Sequence, residues 1–108
     1  MFVEDKALGE TPVLLKEEAW RAILLKAAGQ IEKLGWMQGG FGDEVHGVCM
    51  VGAINLAVTG TPYIYNLQSD NAIHHLSMRL GGEVAHWNDK VGRTREEVLW
   101  ALRKAANS

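Results

Sequence analysis

Between residues 16 and 34 the chain reads KEEAWRAILLKAAGQIEKL, and Trp20, Ile23, Leu24, Ala27, Ile31 and Leu34 recur at spacings of three and four. At about 100° per residue these positions fall in one stripe, which predicts an amphipathic helix with the stripe against a core. Lys16 points into that stripe, so the well-packed part starts after it. Leu14 and Leu25 lie on a second face, which predicts burial on two sides. Gly35 supplies the C-terminal stop. Upstream, Thr11-Pro12 has the form of a helix start, with Thr as cap and Pro in the first helical position. Residues 1–11 read as a flexible arm, ahead of a single helical domain at 12–108.

The pattern then changes. Residues 35–47, GWMQGGFGDEVHG, hold five glycines and no helical period, which predicts a structured loop or a short hairpin around Gly42-Asp43. Residues 48–58, VCMVGAINLAV, are apolar on every side except at Asn55, as a buried central helix is, though so short a run also fits a buried strand. Gly52 and Ala53 would let a neighbouring backbone approach it. Thr61-Pro62 predicts a turn of helix carrying Tyr63, Ile64 and Leu67. Ser69 or Asp70 then caps a helix with Ile73, Leu76 and Leu80 on one face, closed by Gly81-Gly82. Thr94 and Glu97 form a T-x-x-E capping box ahead of a last helix whose core face is Val98, Leu102, Ala105 and Ala106. No period-2 alternation of useful length appears. The fold class is all-α: a compact bundle of four or five helices with a glycine-rich loop or hairpin at 35–47.

Composition narrows the class of protein. A chain of 108 residues suits one domain, and 47% apolar with 22% charged residues is ordinary for a globular protein. A single cysteine leaves no internal disulfide, which suits a reducing compartment. Glu4 and Asp5 stand where a secretory signal would be basic and then apolar, so the expectation is a cytoplasmic protein, bacterial or in a phage-infected host. Net charge is −2, with 5 basic and 9 acidic residues up to position 78 and 6 basic and 4 acidic after it. That slight asymmetry is far from the basic stripe that phosphate contacts need, so neither nucleic acid nor membrane is an expected partner.

Three segments in order, GWMQGG (35–40), VCMVGAINLA (48–57) and WNDKVGRTREEVLWAL (87–102), resemble a small domain family of unknown function from actinobacteria and their phages. Its members carry Gly-Trp-x-Gln-Gly, then Cys-x-x-Gly-Ala, then Trp-Asn-Asp, then a Thr-x-x-Glu-Val helix. The resemblance spans about 14–106 and carries over Gly35, Trp36, Gln38, Gly39, Cys49, Gly52, Ala53, Trp87, Asn88, Asp89, Thr94 and Val98. It implies a small helical domain and an actinobacterial or phage origin, and it implies no activity. His86 stands where relatives carry a small residue, so a role for it would be particular to this chain.

The candidate chemistry is sparse. Cys49 near a helix start, with Gln38, His86, Asn88 and Asp89, supplies the parts of a Cys-His-Asn hydrolase, but its neighbours Val48, Met50 and Val51 favour a buried, inert thiol. A metal would have to recruit His46 and Cys49 with His74, His75 or His86, and no Cys pair or H-E-x-x-H supports one; no metal and no cofactor are expected. In His86-Trp87-Asn88-Asp89, Trp87 is expected to plug the core while Asn88 and Asp89 bond amides of the turn leading to Thr94. Asn55 needs a partner, and Gln38 with the Asn88-Asp89 turn would provide one. A second use of Gln38, Trp87, Asn88 and Asp89 is to hold a small molecule or nucleotide beside the glycine loop. Trp100 lies about 160° from the core stripe of the last helix, beside Glu96, Arg103 and Lys104, in the manner of an interface hot spot. The expected function is therefore non-enzymatic protein binding, interaction or regulatory, by a protein that could be phage-encoded and act on a host component. The partner is a protein, with a homodimer as the simplest case. The alternatives are a small-molecule or nucleotide module and a cysteine-dependent enzyme.

Overall fold

A computed structural model describes residues 18–108. The arm at 1–11, the Thr11-Pro12 helix start, Leu14 and Lys16 lie outside the described residues. Five helices and a two-residue-per-strand hairpin make up the rest: α1 (Ala19–Leu34), β1 (Gly42–Asp43), β2 (Gly47–Val48), α2 (Met50–Thr59), α3 (Leu67–Leu80), α4 (Val84–Asp89) and α5 (Arg95–Ala106). The all-α expectation holds, and the glycine segment is the short hairpin, β1 antiparallel to β2 with Gly42 opposite Val48.

Helix α1 packs on α2, α3 and α5. Its stripe behaves as the spacing predicts, since Trp20, Leu24, Ala27 and Ile31 are buried and Ile23 and Leu34 pack against the same cluster. The predicted second buried face fails at Leu25, which is 47% exposed. Leu25 lies outside the stripe of Trp20, Leu24, Ala27 and Ile31 that enters the core.

The apolar run at 48–58 is a helix, with Met50, Ala53 and Ile54 fully buried in one core cluster that also holds Leu76 of α3 and Val98 and Leu102 of α5. Gly52 answers to close approach: a Cβ there would lie 2.0 Å from the Phe41 carbonyl oxygen, so the hairpin backbone rests directly on α2.

Two local expectations are corrected. Residues 62–63 form a turn and not a turn of helix. Helix α3 begins at Leu67 with Asn66 as its cap, and Ser69, the third residue of the helix, closes the capping box, its hydroxyl accepting from the Asn66 N–H at 2.8 Å. Asn66 is the cap because its backbone is extended and its Oδ1 accepts from the Ser69 amide at 2.9 Å, whereas Ser69 and Asp70 already lie inside the helix. The Thr94–Glu97 box at the start of α5 is present in both directions, at 3.0 and 3.1 Å.

Candidate functional site

The residues 84–89 form the short helix α4 and not a turn. Asn88 sits on its buried side, 0% exposed, and fills all four hydrogen-bonding positions of its amide. Its Oδ1 accepts from Trp36 Nε1 at 2.7 Å and from the Met50 N–H at 3.0 Å. Its Nδ2 donates to the Met37 carbonyl at 3.1 Å and to Asp89 Oδ1 at 2.9 Å. Gln38 closes the arrangement by donating from Nε2 to the carbonyls of Asn88 and Lys90, both at 3.0 Å, and Asp89 Oδ1 accepts from the Gly39 N–H at 3.0 Å. Gln38, Asn88 and Asp89 are therefore brought together, as a clasp binding the glycine loop and the start of α2 to α4.

This corrects the expectation that Asn88 and Asp89 serve the turn before Thr94. That turn is held by Arg93, whose Nε donates to the Trp87 carbonyl at 2.8 Å while its guanidinium lies 3.5 Å from the centre of the Trp87 ring. Trp87 is partly buried and packs against the core, as expected. Asn55 is not part of the clasp. It is 0% exposed, its Nδ2 donates to the Pro62 carbonyl at 3.0 Å, and its Oδ1 has no partner among the described residues.

Cys49 is the N-cap of α2, its Sγ accepting from the Gly52 N–H at 3.2 Å. Burial pushes its thiol pKa up, so the sulfur is a neutral cap and not a thiolate. His86 points away, 87% exposed and 3.2 Å from Glu83, so no Cys-His pair forms. Among the described residues no group of three or more His, Cys, Asp or Glu is placed to hold a metal.

Beside the clasp lies a pocket of about 270 Å³ lined by Gly39, Gly40, Phe41, Cys49, Val51, Tyr65, Ala85 and Asp89. The rings of Phe41 and Tyr65 meet edge to face with centres 6.0 Å apart. The Tyr65 phenol is held above its ordinary pKa by burial first and by Cys49 next, with the Asn55 side chain working against them. Phe41 and Tyr65 escaped the sequence reading because neither belongs to a periodic run.

A second cluster lies on the outer face of α5. Trp100 is 60% exposed and Lys104 Nζ lies 4.7 Å from its ring centre. Glu96, Trp100, Arg103 and Lys104 line one open depression of about 620 Å³ together with Leu99. Arg103 is drawn partly aside by Glu32 of α1, at 2.8 Å.

A family model described as a family of unknown function (DUF6197) matches residues 16–108, and the chain belongs to that family. No curated protein and no solved structure matches it. No helix among the described residues is long and apolar enough to cross a membrane.

Proposed function

We propose that this member of the DUF6197 family is a non-enzymatic protein-binding protein, of actinobacterial or actinobacteriophage origin, that works through the outer face of α5. One observation carries the reading: Trp100 is 60% exposed on a helix whose inner positions Val98, Leu99, Ala101, Leu102, Ala105 and Ala106 are all buried. The helix needs no aromatic on its outer side to pack. An indole ringed by Glu96, Arg103 and Lys104 has the composition of an interface centre, where Trp and Arg carry most of the energy. Asn88 spends all four of its hydrogen bonds and Gln38 Nε2 both of its own within the chain, which weakens a nucleotide-binding use of them.

A second copy is the partner that the charge order of this face favours. Glu96, Trp100 and Lys104 are spaced four apart along one row of α5, with the acid before and the base after the indole. Helices that align such rows cross at about 50°, and a two-fold axis at Trp100 then sets each Glu96 towards the other copy's Lys104. A phage-encoded member would present the same face to a host protein.

Sedimentation over a range of concentrations tests this together with affinity capture from an actinobacterial lysate. Trp100→Ala should melt within about 0.5 kcal/mol of the parent, as exposed substitutions do, while losing self-association or the captured partner. For self-association, Glu96→Lys and Lys104→Glu should each weaken the dimer and together restore it. A Trp100→Ala variant that folds less stably by several kcal/mol, or that keeps every contact, ends the reading.

A further inference from the structure

The pocket beside the clasp has a chemistry of its own. Its walls are Phe41 and Tyr65, its apolar floor includes Val51 and the neutral Cys49, and among the described residues Asp89 is the one charged side chain on its lining. Both intramolecular bonds of Asp89 fall on Oδ1, from Gly39 and Asn88, so Oδ2 has no partner among the described residues. Nor does Asp89 take part in an ion pair among them.

An anion is disfavoured twice. The carboxylate repels it, and three of the amides at the start of α2 that would otherwise attract it are occupied. The Cys49 N–H donates to the Phe41 carbonyl, the Met50 N–H to Asn88 Oδ1 and the Gly52 N–H to Cys49 Sγ. A cation is favoured twice, by the carboxylate and by two aromatic rings set at 82° to each other. A volume of about 270 Å³ lies just below the usual range for organic ligands, near 300 Å³, so the occupant is small.

We propose that this pocket binds an alkylammonium group, a primary amine on a short apolar stem, with the amine on Asp89 Oδ2 and the stem between Phe41 and Tyr65. The group can come from a free amine or from a lysine side chain of another protein. This site is separate from the α5 face, so the two proposals stand or fall independently.

Amide-resolved NMR titration of the full chain with n-butylammonium, with a lysine-containing peptide, and with butyrate and n-butanol as controls would test it. Saturable shifts at Gly39, Gly40 and Ala85 are expected with the two amines and not with the controls. Tighter binding of the peptide would assign the site to a protein's lysine, and equal or tighter binding of butylammonium to a free amine. Asp89→Asn keeps an acceptor for Gly39 and removes the charge, and should weaken binding about tenfold or more. Phe41→Ala, at a half-exposed side chain outside the clasp, should weaken it severalfold, and it serves if Asp89→Asn does not fold. Butyrate shifting the same amides as strongly, no saturable shift with either amine, or binding unchanged in the folded variants would overturn the proposal.

Discussion

At the residue scale, Asn88 shows why a polar side chain can be the least replaceable part of a small core. Three of its four bonds tie α4 to the glycine loop at Trp36 and Met37 and to the start of α2 at Met50, and Trp36 Nε1 and the Met50 N–H have no other partner among the described residues. Truncation would strand these donors, and an unpaired buried polar group costs ~1–3 kcal/mol. Asn88→Ala should therefore lose about 3 kcal/mol or more in urea denaturation followed by tryptophan fluorescence. A loss under about 1 kcal/mol would mean that water replaces the side chain and that the clasp contributes little. Asn55 is the contrasting case, because its Oδ1 already has no partner among the described residues. The sequence marks Asn55 as polar among apolar neighbours, whereas Asn88 stands in a polar run beside Asp89 and Lys90. It cannot show which of them finds a full set of partners, since those of Asn88 are up to 52 positions away.

At the element scale, two glycines in helical positions carry opposite meanings. Gly52 in α2 has the Phe41 carbonyl oxygen 2.0 Å from where a Cβ would stand, whereas Gly29 in α1 has nothing within 4 Å. Alanine is the better helix former by about 1 kcal/mol. Gly29→Ala should thus stabilise by ~0.5–1 kcal/mol. Gly52→Ala should destabilise by about 2 kcal/mol or more, because the colliding atom is backbone and the hairpin must lift off α2. Thermal melts of the two variants decide this, and equal signs would sink the packing account. The helices themselves were legible because their apolar periods and the Thr94–Glu97 box are local signals. Helix α4 was not, since six residues give too little period and its one deeply buried polar residue looks like a turn former. Leu25 misled for the reverse reason: an apolar side chain on an outer face carries no mark that its face stays open.

At the scale of the whole molecule, the ends of three helices are tied together around Trp20, which is 3% exposed. His75 of α3 stacks on its ring at 4.3 Å with an interplanar angle of 6°, and the guanidinium groups of Arg21 and Arg79 lie 4.4 and 4.3 Å from the ring centre. Arg21 reaches on to the Ala106 carbonyl at the end of α5, at 3.0 Å. This junction places a titratable imidazole among cations. Burial first, and then Arg79, His74 and Arg21, hold the His75 pKa below its ordinary 6.5. The folded protein thus prefers the neutral ring, whereas the unfolded chain takes up a proton near pH 6.5. Stability from this junction is complete above that pH and declines as pH falls through 6.5 towards the lower folded value. Asp43 acts in a different window. Its hydrogen bonds from His46 and Val45 hold its carboxyl at about 2, so its share is lost only as pH falls from its ordinary 3.8. The melting temperature should then drop by a few degrees between pH 7.5 and 5.5, and His75→Gln, which keeps a planar polar group and cannot charge, should flatten that step. A parent whose melting temperature is level across the interval, or a variant that retains the full drop, would remove His75 as the origin.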